Sequence, residues 1–426
     1  MGRPLHNLLL LTVDAWRADF VDAFDGIRLT PTLQSLPRPV RFTAAHATGP
    51  WTSPALISIF SGENPAVHGV HHEWSVPRAG GPALATQLQA AGYQTPNVCY
   101  LNRVGNYQNL GYAAATAPDY PTGPDDDLLL RTLRELRSSG GEQPWFVWFH
   151  YKYVHLPYWP APAYRRLFGV DDEKLPPRLR DSVASRFVVP RGEFTLLPED
   201  RELVRRLYAG GVRQMDDFLG RVVAELDAGG LLGRTSLVVT ADHGDELLER
   251  GHVGHASTAH HATLHDEVLR IPLVIVDPRA QGERTVAERV QGLDLFPTLL
   301  SLAGVPSAQN GEAVDLAPLV LEGQLPSRLR EPRTFFAASS RMGYLTPRSH
   351  EEQWVQSLCD GRHKYIWERY DEPRRLLFDL EQDPGELAPL TTGPAVESAH
   401  ATLLDFLAAP ERPPSAVGAG AEDSRR

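Results

Sequence analysis

The sequence predicts an α/β fold: a central, mostly parallel sheet flanked by helices, with a small antiparallel sheet subdomain at the C-terminal end. Three observations predict it. Apolar runs without alternation at 8–13, 145–149, 236–240 and 271–276 fit parallel strands covered on both faces. Helical patterns separate them, notably 202–226 and 293–303, the latter stopped by Gly304 and Pro306. Alternating strand and helix signals imply a doubly covered sheet. The length, 426 residues, exceeds one small core and fits a large domain with a smaller appendage.

The elements follow in order. The first run ends at Asp14. It is too short for a signal h-region and no small-residue cleavage site follows, so it reads as a buried strand and the protein as cytoplasmic. Trp51-Thr52-Ser53-Pro54 precedes a helix at 55–60, with Pro54 in its first turn. Residues 160–200 are rich in Pro and Arg and read as a long insertion, a candidate lid. From about Arg333 the pattern changes to short strand pieces at 334–338, 354–358, 364–367 and 376–379, then a helix at 396–408. The expected organisation is a catalytic unit at 1–330, an α+β subdomain packed on it at 331–409, and a disordered tail at 410–426.

Composition narrows the function. The net charge of −11 disfavours nucleic acid and anionic membranes as partners. An anionic substrate would then need a local positive centre, such as a metal ion with His or Lys beside it. Two cysteines, Cys99 and Cys359, exclude a disulfide framework and a multi-Cys zinc site. No stretch approaches the length of a membrane span. The sequence specifies no oligomeric state.

In open α/β sheets, sites form outside the carboxyl ends of the strands. Asp14, His150 and Asp242-His243 all fall at or just after predicted strand ends. Asp14 reads either as a turn or capping residue or as a hard-metal ligand. Asp242 and His243 share a metal if a sharp turn at Gly244 aims both inward. Asp245 and Glu246 read as the acidic start of a helix, favoured by its dipole. Either Thr52 or Ser53 reads as an N-cap, or Thr52 reads as a nucleophile in the positive field of a helix N-terminus. His150, Lys152, His155 and His255 are candidates for substrate contact, though a lone histidine is commonly a structural hydrogen-bonder. His260, His261 and His265 read as surface or structural, and Asp216 as a structural helix residue rather than a second-metal ligand.

Taken together, these segments resemble the sulfatase family of the alkaline phosphatase superfamily. LLLLTVDAWRADF is similar to the family's first strand and metal Asp, and TPTLQSL to the helix after it. WTSPALISIFSGENPAVHGV resembles the nucleophile segment, HYKYVHLPY the family's HYxxxHxPY segment, and MDDFLGRVVAEL its DxxxGRLL-type helix. VVTADHGDELLERGHVGH resembles TSDHGE…GH, and LHDEVLRIPLVI, GLDLFPTLLSLAGVP and LLFDLEQDPGEL follow in the family's order. The resemblance implies an alkaline phosphatase-like sandwich. It implies one divalent metal ion (Ca, Mg, Mn or Zn) on Asp14, Thr52, Asp242 and His243. It makes Thr52, His155 and His255 catalytic, and places Lys152, His150 and Asn102 at the substrate.

Two departures shape the expected chemistry. Sulfatases oxidise a Cys or Ser to formylglycine within Cys/Ser-x-Pro-x-Arg. Here the segment is Thr52-Ser53-Pro54-Ala55-Leu56, and the Thr methyl on Cβ precludes the aldehyde. Ala15 replaces the acid or amide that often follows the metal Asp. A Thr ester must be cleaved by attack on its central atom, which favours a phosphorus ester over a sulfate ester. The expected activity is hydrolysis of a small anionic phosphate, phosphonate or sulfate ester through a covalent Thr52 intermediate, without formylglycine. The alternatives are a sulfuric ester hydrolase without formylglycine, a phosphoryl-type transferase to an alcohol, and an inactive binding homologue, which Leu56 and Ala15 would favour.

Overall fold

In the computed structural model, the described residues are 6–72, 74–78, 81–99, 101, 110–111, 126–138, 143–175, 197–256, 261–307 and 311–409. A seven-stranded sheet forms the centre. Its strands are β1 (Asn7–Val13), β2 (Pro39–His46), β3 (Phe146–Tyr151), β4 (Thr235–Ala241), β5 (Arg270–Val276), β6 (Arg284–Val286) and β7 (Val290–Gln291). The order is β6-β2-β5-β4-β1-β3, with β7 also on β2. β1 is parallel to β3 and β4, and β2 to β6 and β7. β5 is antiparallel to both β2 and β4, so β2 runs the same way as β4 and β1.

Every residue of β1, β3 and β4 is buried, which is why these strands are apolar on both faces. Successive side chains point to opposite faces of a strand. Trp148 meets Phe60 of α1 (Thr52–Ser61) at 4.5 Å between ring centroids. Its neighbour Phe149 meets Phe218 of α3 (Arg201–Ala228) at 5.5 Å on the other face. α2 (Asp126–Ser138) packs beside α3, and α4 (Leu295–Leu302) beside α1, giving helix, sheet and helix layers. Among the described residues no helix is long and apolar enough to cross a membrane.

A second, antiparallel sheet runs β8 (Phe335–Ser340), β9 (Trp354–Cys359), β10 (His363–Arg369) and β11 (Arg374–Asp379) in sequence order. α5 (Pro394–Ala408) covers one face through Val396, Leu403 and Phe406 against Phe336, Tyr365 and Leu377. The sheet is pinned beside the nucleophile segment. Ala338 N–H donates to the Thr48 carbonyl at 3.1 Å, and Trp51 Nε1–H to Ser339 Oγ at 3.0 Å. Buried Lys364 pairs with Asp266 and with Glu386, the latter at 2.9 Å, tying β10 to the segment that precedes β5.

Several expectations need correction. No helix starts at Asp245. Glu246–Leu247 instead form a two-residue strand against Val253–Gly254. The helix expected at 55–60 begins at Thr52, with Trp51 as its N-cap and no side-chain capping bond. β2 went unpredicted because its Pro, Arg and Thr residues break the apolar run. The insertion is helical at Pro162–Leu167, while 176–196 of the candidate lid and the tail from 410 onward lie outside the described residues.

Candidate active site

The parallel register of β1, β3 and β4 builds the site. Val13 stands opposite Ala241 and Thr12 opposite His150, so Asp14 and Asp242 leave adjacent strands side by side. The chain turns at Ala15 with φ of 62°, and Ala15 N–H donates to Asp242 Oδ1 at 3.2 Å. That backbone region suits Asn or Asp better than Ala, which gives the acid or amide expected there a conformational reason. The turn after β4 closes on Gly244, whose N–H donates to the Val268 carbonyl at 2.7 Å. A Cβ at Gly244 would lie 2.1 Å from the Glu267 carbonyl oxygen, so close backbone approach requires glycine.

Two carboxylates and two imidazoles meet here. His243 Nε2 lies 3.5 Å from Asp14 Oδ1 and 3.4 Å from Asp242 Oδ2. His150 Nε2 lies 3.4 Å from Asp14 Oδ2 and 3.8 Å from Asp242 Oδ2. Atoms of Asp14, His150 and Asp242 all fall within 4.8 Å of one another, at the spacing of a metal site. His243 Nδ1 donates to the Gly244 carbonyl at 2.7 Å, which fixes the tautomer and leaves Nε2 bare. Asp14 Oδ1, Asp242 Oδ2 and His243 Nε2 are buried without a hydrogen-bond partner. Buried polar atoms are normally satisfied, so three converging orphans fit a cation. Burial pushes the Asp14 carboxyl up, but His155, His150 and His243 outweigh it and hold its pKa well below the ordinary range. Asp242 is pushed up to about 7 by burial and by the Asp14 charge.

The surrounding groups come from the same sheet edge. His155 follows β3; its Nδ1 bonds the Leu156 carbonyl, and its ring stands 4.8 Å from that of His255. The His255 ring stands 4.3 Å from that of His243. Burial lowers His155 to about 4 and His255 well below the usual histidine range, with Lys152 adding to both effects. Thr52 lies just beyond the carboxyl end of β2, which runs parallel to β1 and β4, so the topology brings it to this edge. The N-cap is Trp51, and no capping role occupies the Thr52 hydroxyl. His150, expected at the substrate, sits among the carboxylates, with Nδ1 at 2.8 Å from Thr12 Oγ1. Asn102 and His260 lie outside the described residues. Asp216 accepts from Thr32 N–H and Leu33 N–H, capping a short helical turn.

Asp245 is a residue that sequence reasoning missed. It is fully buried and bonds His255 Nδ1 at 2.8 Å and the Tyr158 hydroxyl at 2.6 Å. An acidic run after a strand end also fits a helix start, which hid it; the available signal was Tyr158, in the same HYKYVHLPY segment as His155.

The Sulfatase family pattern matches residues 6–305. The chain belongs to the sulfatase family. A second pattern, N-sulphoglucosamine sulphohydrolase, C-terminal, matches 259–411. The multifunctional alkaline phosphatase superfamily protein PehA of Trinickia caryophylli is 28% identical over 297 residues, 62% of this chain and 55% of that protein. The choline-sulfatase of Rhizobium meliloti (strain 1021) is 24% identical, covering 95% of this chain and 86% of that protein. The chain thus spans about half the length of PehA and most of the choline-sulfatase. Among solved structures, a phosphonate monoester hydrolase of Agrobacterium radiobacter superposes with a TM-score of 0.73 at 21% identity, covering 94% of this chain and 95% of that one. At that identity the likeness establishes the sulfatase fold.

Proposed function

We propose that this protein is a metal-dependent hydrolase of small anionic esters that works through a covalent Thr52 intermediate and favours phosphorus esters. The observation that carries the reading is the set of three orphaned buried atoms on Asp14, Asp242 and His243, at the sheet edge that also holds Thr52. Asp14, Asp242, His243 and the Thr52 hydroxyl would hold the divalent cation, and His150, which shares a metal-sized spacing with both carboxylates, stands beside them. When bound, the cation lowers the pKa of the Thr52 hydroxyl and neutralises negative charge on the ester.

The remaining steps belong to side chains of this chain. With its proton released to solvent, the Thr52 oxygen bonds the central atom in line with the leaving oxygen, in the positive field of the α1 N-terminus, and returns as the alkoxide when the ester bond later breaks. The bond to the leaving oxygen breaks as a proton passes to it from His255 Nε2. Water then bonds the central atom, the Thr52 ester bond breaks, and His255 Nε2 takes a proton from that water. His155 and Lys152 face the non-bridging oxygens. Burial holds both histidines neutral in the free protein, and the charge of an anionic ester would restore their protons.

The relatives' names span both ester classes, choline-sulfatase and phosphonate monoester hydrolase. Thr52 favours phosphorus, because it cannot form the geminal hydroxyls through which a formylglycine hydrate releases sulfate. The test is to assay the full chain, metal-loaded and metal-stripped, against aryl phosphate, phosphodiester, phosphonate and sulfate esters. Metal-dependent turnover with phosphorus esters leading is expected. Preference for sulfate would overturn the substrate choice, and an undiminished rate for Thr52→Ala would overturn the nucleophile.

A further inference from the structure

We infer that the rings of His71, Trp74 and Trp354 form a subsite at the rim of the active site that takes a planar, aromatic organic group of the ester; this rests on the hydrolase reading above. The end of β8 locates the subsite. β8 is an edge strand of the C-terminal sheet, and its outer edge runs along the nucleophile segment. Ala338 N–H bonds the Thr48 carbonyl, and Ser339 Oγ accepts the indole N–H of Trp51, the residue before Thr52. One residue on, about 3.3 Å along the strand, Ser340 N–H and Oγ reach the His71 carbonyl at 3.4 Å and 2.6 Å. One residue further, the Arg341 carbonyl accepts Ala262 N–H and its guanidinium bonds His261, in the stretch that follows His255. Consecutive residues of β8 and its exit thus touch the segments that carry Thr52 and His255, with His71 between them.

The rings are held in place before any ligand arrives. Ser75 locks the turn: its Oγ accepts His71 N–H at 3.2 Å and His72 N–H at 2.9 Å, and its own N–H donates to the His72 carbonyl at 3.1 Å. Trp354 stands opposite Ser340 on β9, and its indole N–H donates to the Glu351 carbonyl at 2.7 Å. The His71 ring lies 3.8 Å from that of Trp354, and the His72 ring lies 4.8 Å from that of Trp74, stacked at 28°. The His72 ring also lies 5.7 Å from Trp354, so the two imidazoles join the two indoles into one cluster. Packing alone explains this cluster poorly. Both indoles stay partly open to solvent, while His71 is only 9% exposed and its Nδ1 is buried without a hydrogen-bond partner. A core would bury the indoles and put an apolar side chain in place of that imidazole. Open indole faces beside a reaction site offer offset and edge-to-face contacts that a planar ring makes and a saturated one does not. Burial also lowers the pKa of both imidazoles, so the cluster is neutral and suits an uncharged ring rather than a second anionic group.

Two measurements test the inference on the full chain, with Ca²⁺, Mg²⁺ and Zn²⁺ supplied in turn. The first is fluorine NMR of protein labelled with 5-fluorotryptophan, the Trp74 and Trp354 signals being assigned through Trp74→Phe and Trp354→Phe. Phenylphosphonate, which has no ester bond to cleave, should shift both signals, and methylphosphonate should shift neither. The second is calorimetry. Phenylphosphonate should bind about 10-fold more tightly than cyclohexylphosphonate, a ring of similar size that is not planar. Trp354→Ala should bring that ratio close to one, and Trp354→Phe should keep most of it. Both signals unmoved by phenylphosphonate, equal affinity for the two rings in wild type, or no phosphonate bound with any cation would each overturn the inference. The wild-type spectra decide it even where Trp354→Ala fails to fold. Esters turned over while phenylphosphonate leaves both signals in place would sink the subsite alone. Both signals shifted while every ester stays intact would sink the hydrolase reading alone.

Discussion

Substituting Gly244→Ala should damage metal binding more than any other single-methyl change near the site. The added Cβ would lie 2.1 Å from the Glu267 carbonyl oxygen, 3.1 Å from its carbon and 3.3 Å from Arg17 Cγ. To reach ordinary contact the two backbones must separate by about 1 Å or more. That separation breaks or stretches two bonds, Gly244 N–H to the Val268 carbonyl at 2.7 Å and Asp245 N–H to the Glu267 carbonyl at 3.0 Å. At about 1 kcal/mol for each bond and about 1–3 kcal/mol for the strain, the fold should lose about 3–5 kcal/mol. His243 is the adjacent residue, and its Nδ1 bonds the Gly244 carbonyl, so the shift rotates a proposed metal ligand. A displacement of about 1 Å costs on the order of 10²-fold in rate where geometry matters. Urea unfolding in the presence of chelator measures the first effect, and titration of stripped protein with a divalent cation the second. Wild-type stability together with wild-type metal affinity would refute the close-approach argument.

Other expectations follow from the buried charges. Burial raises the Glu249 pKa, but Arg17 at 2.8 Å outweighs it and holds the folded value at about 2, against 4.5 for the ordinary group. A lowered folded pKa stabilises above the unfolded value, and that stability is lost as pH falls towards about 2. Glu249→Gln should therefore cost about 2–3 kcal/mol near pH 7, with the difference from wild type closing between about pH 4.5 and 2 in unfolding titrations. Lys364→Met leaves Asp266 and Glu386 buried without their shared cation, and should cost about 3–5 kcal/mol by urea unfolding. Adding Asp266→Asn and Glu386→Gln should recover part of that loss. Chelator should lower the melting temperature of metal-loaded protein, and the matching cation should restore it in a concentration-dependent way. A melting temperature indifferent to both would contradict the cation site.

Much of the fold is legible in the sequence because doubly covered strands must be apolar throughout. β1, β3, β4 and β5 all stand where apolar runs predict them, within one or two residues at each end. β2 is not legible, since its strand character comes from pairing with β5 rather than from its own Pro-Val-Arg-Phe-Thr pattern. Asp14 and Asp242 are legible as strand-end acids, and the register then sets them side by side. His150 is a different case. A histidine at a strand end points either into the sheet edge or out to solvent, and only the Thr12 pairing decides which. Asp245 and Lys364 are hidden for a shared reason: their partners, His255 and Tyr158 for one and Asp266 and Glu386 for the other, come from elsewhere in the chain. Local pattern reports propensity and periodicity; it does not report which distant charge closes a buried network.

The central claim is that Thr52 forms the covalent intermediate at a site built from Asp14, Asp242 and His243. The most direct measurement is mass spectrometry of metal-loaded protein quenched during turnover of an aryl phosphonate or phosphate ester. The account predicts the transferred group on the peptide that contains Thr52, absent in Thr52→Ala and in metal-stripped protein. Turnover with the group on another residue, or with the Thr52 peptide never modified, would contradict it.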